Sequence, residues 1–182
     1  MIRFLAKFIF ITLLGWKIKG SISDKTKKCV IAIAPHTSYW DFFIGIVVRP
    51  INNLRSSFLV KKEVFKFAPM GWVVKRMGGI AVDRGKNNSS LIDQVIRIFK
   101  EREVMRLAIT PEGTRSKVTE WKTGFYRIAV AANVPIILVS FDFAKKEVEF
   151  KEEFHPTGDM TADIDYIKSQ FVGVQGKHPE LG

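Results

Sequence analysis

Apolar and polar positions along the chain follow two rhythms. Short, largely apolar runs predict strands over 29–34, 56–61, 79–82, 105–110 and 135–141. Between them, apolar residues recur at helical spacing, which predicts helices over 1–18, 39–48, 63–75, 88–102 and 121–132. Asn-Asn-Ser-Ser before Leu91 offers a helix cap, and Ser90 with Asp93 has capping-box spacing. The segment 142–155, with Glu-Val-Glu-Phe inside it, can add a further strand. Strands alternating with helices predict a single α/β domain. Its central sheet is largely parallel or mixed and is flanked by helices.

Composition narrows the picture. With 182 residues, 47% of them apolar, one domain can bury a full core. No internal repeat or linker divides the chain. The expected organisation is an N-terminal apolar or amphipathic segment over 1–20, a domain over 21–172 and a loose tail over 173–182. A single cysteine, Cys29, excludes an intrachain disulfide and a thiolate metal cluster. Its place in a strand predicts a buried thiol.

Charge is uneven. Residues 1–141 carry 24 Lys and Arg against 9 Asp and Glu, a net of +15. Residues 142–165 carry 3 against 8, a net of −5. A basic face suits nucleic acid, anionic lipid or small anionic substrates. No nucleic-acid fingerprint is present, so nucleic acid is not an expected partner. The uncharged run from Phe8 to Trp16 has nine residues, too short for an ordinary spanning helix. It reads as an interfacial anchor, with Trp16 at headgroup level and Lys17 and Lys19 on lipid phosphates. A first helix packed on the core is the alternative.

The chemistry gathers where strands end. In "APHTSYWD", residues 34–41, an apolar run stops at His36, with Asp41 five positions on. Ser38 and Asp41 have the spacing of a helix cap and its third residue. A turn followed by that cap can bring Asp41 onto one imidazole nitrogen. The other nitrogen would then take a proton from a hydroxyl. Polar residues at an ordinary strand–turn–helix junction are the alternative. In "TPEGTRS", residues 110–116, Gly113 permits a tight turn and Arg115 offers a rigid fork for phosphate. Glu112 can hold that arginine or a substrate hydroxyl; a surface turn with an ion pair reads equally well. In "GGIAVDRG", residues 78–85, Arg84 again stands at a strand end, or in a charged loop. Residues 56–76 interleave Phe65, Phe67, Met70 and Trp72 with lysines and Arg76, suiting an acyl groove with cationic edges or core aromatics. His155 and His178 have no site around them, and the three histidines form no metal motif. A GxSxG hydrolase elbow is absent.

Together, His36–Asp41, Gly78–Arg84, Pro111–Ser116 and Val134–Val139 resemble, in order and wording, the blocks of the glycerolipid acyltransferase family. That family contains bacterial 1-acyl-glycerol-3-phosphate acyltransferases. The resemblance covers about residues 29–141. Pro35 stands where many members have asparagine, and Ala81 where they carry a bulkier apolar residue.

The resemblance implies transfer of an acyl group from acyl-CoA or acyl-carrier protein to the hydroxyl of a lyso-phospholipid, without a cofactor or metal. His36 would be the base and Asp41 its partner. Arg84, Glu112, Gly113, Thr114 and Arg115 would form the acceptor site, with Ser38 and Lys122 in support. The protein would sit peripherally or interfacially on an anionic membrane, at the cytoplasmic face of the inner membrane. Two other readings stand beside this one: a relative that acylates a non-phosphatidate lyso-lipid, and a non-catalytic basic membrane-binding protein.

Overall fold

The computed structural model describes residues 2–83 and 88–182. Helix α1 (Ile2–Lys7) continues as a π-helical turn over Phe8–Leu13 and leads into strand β1 (Lys17–Lys19). Then follow β2 (Lys28–Ala34), α2 (Trp40–Ile51), β3 (Ser57–Lys61), a 3₁₀ turn (Lys62–Lys66), α3 (Ala68–Arg76), β4 (Gly79–Val82) and α4 (Asn88–Glu101). The chain closes with β5 (Met105–Ile109), α5 (Gly124–Ala132), β6 (Ile136–Asp142), β7 (Glu147–Phe154), α6 (Met160–Ser169) and a 3₁₀ turn over Pro179–Leu181.

The seven strands form one mixed sheet in the order β1-β7-β6-β2-β5-β3-β4. All neighbours are parallel except β6 and β7. The central strands β2 and β6 are buried on both faces, which is why they read as nearly continuous apolar runs. Alternation along β2 divides the core. Val30, Ala32 and Ala34 pack with Val95, Phe99, Phe125, Ile128 and Ile167 of α4, α5 and α6. Cys29 and Ile31 pack on the opposite face with Phe10, Ile44 and Val48. Burial pushes the Cys29 thiol up to about 12. The α/β domain with a mostly parallel central sheet is as the sequence predicts.

Several local expectations need correction. The helix predicted over 1–18 ends at Leu13, because Gly15 adopts a left-handed φ of +71° and turns the chain into β1. Trp16 is therefore not at a headgroup. It is buried, stacks on Phe10 at 5.3 Å and meets Phe143 edge-on at 5.2 Å. Lys19 pairs with Glu147 at 2.9 Å. The helix predicted over 63–75 breaks at Phe67, whose backbone is extended before Pro69 enters the first turn of α3. Helix α6 was not foreseen. Asp159 caps it by accepting from the Ala162 N–H, but only Asp163, Ile164 and Ile167 are buried along it.

Residues 173–182, expected to be loose, are seated on the domain. Phe143 N–H donates to the Gln175 carbonyl at 2.8 Å, and His178 N–H donates to Thr37 Oγ1 at 3.1 Å. Arg84 and the cap at Ser90 lie outside the described residues and side chains.

Candidate active site

The parallel centre of the sheet brings the strand ends to one edge, where open α/β sheets collect ligands. Ala32 of β2 stands opposite Ile109 of β5. That register carries His36 and Glu112 past neighbouring strand ends and into contact: His36 N–H donates to Glu112 Oε2 at 2.6 Å. The chain then turns through residues 35–38 before α2.

The turn closes on Asp41. Its Oδ2 lies 2.9 Å from His36 Nδ1 and accepts from the Thr37 and Ser38 N–H groups at 3.0 Å each. Ser38 Oγ accepts from the Trp40 N–H at 3.2 Å. Asp41 thus reaches back from the first helical turn, as the cap-and-third-residue spacing implies, and this brings residues five apart together. Asp41 is buried, whereas the His36 side chain retains 18% of its exposure. With Nδ1 engaged, Nε2 is the nitrogen left for a substrate. Among the described residues, no serine, threonine or cysteine side chain is hydrogen-bonded to the imidazole.

His36 opens on a cavity of about 1010 Å³. Tyr39, Gly113, Arg115 and Lys122 also line it, together with apolar residues such as Phe42, Phe58, Leu59 and Ile92. Gly113 holds a left-handed φ of +65°, and the Lys122 side chain lies across the space a Cβ would take. The Lys122 N–H donates to the Pro111 carbonyl at 2.8 Å, tying that lysine to the loop after β5. Arg115 rests on the Tyr39 ring, its guanidinium carbon 3.5 Å from the centroid.

Sequence reasoning named His36, Asp41, Gly113, Arg115 and Lys122, and the fold brings them to this one cavity. It did not name Tyr39 or Arg127, which also line it. Arg127 sits five residues beyond Lys122, a spacing that gave no warning in an otherwise apolar helix.

Three candidates sit differently. Ser38 and Thr114 are outside the cavity wall; Thr114 Oγ1 accepts from its own loop, at Ser116 N–H. Glu112 is also outside the wall, buried beneath His36. Burial pushes its carboxyl up, and the His36 N–H and ring oppose that rise. Losing an acceptor for a buried N–H costs about 1–3 kcal/mol. Glu112→Ala is therefore expected to lose about that much stability, and Glu112→Gln, which keeps an oxygen there, less than half as much. Urea denaturation of both variants checks this, and equal losses would remove the bond from the account.

Elsewhere, His155 is largely exposed near Glu153, and His178 contributes its backbone to Thr37. Among the described residues no group of three His, Cys, Asp or Glu is placed to hold a metal. No described helix is long and apolar enough to cross a membrane.

The family model named Acyltransferase matches residues 17–142. A 1-acyl-sn-glycerol-3-phosphate acyltransferase of Streptococcus pneumoniae is 29% identical over 139 residues, covering 72% of this chain and 51% of the relative. The human 1-acyl-sn-glycerol-3-phosphate acyltransferase beta is 25% identical over 147 residues, covering 78% of this chain and 51% of the relative. The chain spans about half the length of these curated relatives. The crystal structure of the 1-acyl-sn-glycerophosphate acyltransferase PlsC from Thermotoga maritima shares the fold with a TM-score of 0.59. It is 20% identical, and the match covers 93% of this chain and 76% of that one. The chain belongs to the acyltransferase family, with 1-acyl-sn-glycerol-3-phosphate acyltransferases among its relatives.

Proposed function

We propose that this protein transfers a fatty acyl group from a thioester donor, acyl-CoA or acyl-carrier protein, to the hydroxyl of a phosphate-bearing lyso-lipid. The observation that carries this reading is the 2.9 Å His36–Asp41 pair in the wall of a largely apolar cavity, with no side-chain nucleophile bonded to the imidazole. A base without its own serine fits a reaction whose nucleophile arrives with the substrate.

The mechanism follows from that geometry. Asp41 holds the Nδ1 proton, so Nε2 accepts the proton of the acceptor hydroxyl. The hydroxyl oxygen attacks the thioester carbonyl and forms a tetrahedral intermediate. Collapse breaks the carbon–sulfur bond, and the thiolate leaves with the proton that His36 took. The apolar wall suits the acyl chains. Arg115 and Lys122 give the acceptor phosphate two cations beside Gly113. Arg84 joins them in this proposal as a further phosphate contact.

The surface supports work at a lipid boundary. Phe4, Leu5, Phe8, Leu13 and Leu14 are exposed along the N-terminal helical segment, and Phe67, Met70 and Trp72 along α3. Lys66, Lys75 and Arg76 flank the α3 residues. Large exposed apolar side chains beside cations are the signature of an interfacial segment on anionic lipid.

Labelled acyl-CoA and labelled acyl-carrier protein, offered with a panel of lyso-lipids in vesicles, test the reading. A labelled diacyl product is expected; release of free fatty acid alone would make the protein a thioesterase. Loss of a charge-assisted hydrogen bond costs about 1.5–3 kcal/mol. Arg115→Ala should therefore raise KM for a phosphate-bearing acceptor by about 10- to 100-fold. It should change a phosphate-free lyso-lipid by less than about threefold. Equal losses on both acceptors would remove the phosphate from Arg115.

A further inference from the structure

Arg115 lines the cavity, and among the described residues no carboxylate forms an ion pair with it. Glu112, three positions earlier in the same loop, is committed to the His36 N–H. What holds the guanidinium is the face of Tyr39, 3.5 Å from ring centroid to guanidinium carbon. At that distance the planar cation lies on the ring's electron-rich face, and its N–H edge stays free to donate.

Tyr39 is itself placed by the site. It is the residue just before α2, with helical φ and ψ of −63° and −24°. Two bonds that close the turn enclose it: Ser38 N–H donates to Asp41 Oδ2, and Trp40 N–H donates to Ser38 Oγ. The same turn carries His36. One rigid turn therefore holds the base by its ring nitrogen and the arginine by an aromatic platform. The ring has no core role: Tyr39 is 69% exposed.

We propose that Tyr39 is the positioning residue for Arg115, holding the guanidinium on the same turn that carries His36, where a phosphate-bearing acceptor would meet both. This rests on the reading of Arg115 as the phosphate contact. The aromatic face is the working part, and the phenolic hydroxyl is dispensable. Tyr39 thereby favours acceptors with an anionic phosphate over neutral ones, without touching the phosphate itself.

The test uses the full chain in mixed micelles. It covers wild type, Tyr39→Ala, Tyr39→Phe, Arg115→Ala and the Tyr39→Ala/Arg115→Ala double variant. Equilibrium binding of a short-chain 1-acyl-glycerol phosphate is measured along with KM and kcat. A cation–π contact is worth about 0.5–2 kcal/mol, or about three- to thirtyfold. Tyr39→Ala should weaken binding and raise KM by that factor, with kcat within about twofold of wild type. Tyr39→Phe should match wild type, and Tyr39→Ala should add nothing once Arg115 is gone.

Additive losses in the double variant would overturn the proposal, as would a Tyr39→Phe defect equal to that of Tyr39→Ala. Arg115→Ala alone reads the underlying assignment. Unchanged phosphate binding there removes the role of Arg115 itself. Weakened binding there with a normal Tyr39→Ala removes only the platform.

Discussion

Replacing His36 with alanine is expected to cut acyl transfer by about 10²–10⁴-fold, the range a positioned general base contributes. The protein should remain folded. The imidazole is partly exposed and is tied to the protein through Nδ1. Its loss leaves Asp41 Oδ2 with two donors, the Thr37 and Ser38 N–H groups. The backbone bond from residue 36 to Glu112 needs no side chain. Stability should therefore fall by about 1 kcal/mol, the net value of one hydrogen bond. Single-turnover transfer from labelled acyl-CoA, beside a thermal melt of the same sample, checks both parts. Turnover near wild type by folded His36→Ala would end the base assignment.

What could be read from the sequence has a physical pattern. Central strands were legible because burial on both faces leaves a nearly continuous apolar run, as in Cys29–Ala34 of β2. The His36–Asp41 contact was legible because a cap is local chemistry: five residues, one turn, one carboxylate reaching back. Interactions between distant segments were not. Lys17–Lys19 reads as the tail of a helix, since its partner strand begins at Glu147, far along the chain. The seat of residues 173–182 on Thr37 depends on contacts across most of the sequence.

The same limit applies inside the site. Glu112 was expected beside Arg115 or a substrate hydroxyl, and both readings treat it as part of one exposed loop. Its position under the His36 backbone follows from the β2–β5 register, which no local pattern encodes. Arg115 then finds Tyr39 in place of a carboxylate. Arg84 lies outside the described residues, so its part in the acceptor site remains a proposal from the motif.

Asp41→Asn separates geometry from charge and should give the second large effect. The amide oxygen can replace Oδ2 and accept from the Thr37 and Ser38 N–H groups, so the turn before α2 can persist. Its NH₂ then occupies the place of Oδ1, which is buried and has no hydrogen-bond partner among the described residues. A buried donor without an acceptor costs about 1–3 kcal/mol, so a lower melting temperature is expected. The larger loss is in turnover. An amide carries no charge to stabilise the imidazolium formed when Nε2 takes the acceptor proton. In the flipped orientation, which gives up the Thr37 and Ser38 bonds, its NH₂ would face Nδ1 and leave the proton on Nε2, the wrong nitrogen for a base. In a serine-protease triad the same change costs about 10⁴ in kcat, and a loss of about 10²–10⁴ is expected here. Measured well below the variant's own melting temperature, kcat should fall by that factor while KM for the acceptor stays within about threefold. Among the described residues the Asp41 carboxylate bonds only His36, Thr37 and Ser38, and not Arg115 or Lys122, the proposed phosphate contacts. If folded Asp41→Asn kept kcat within threefold of wild type, the carboxylate would be only a helix-capping group, and His36 would have to act without it.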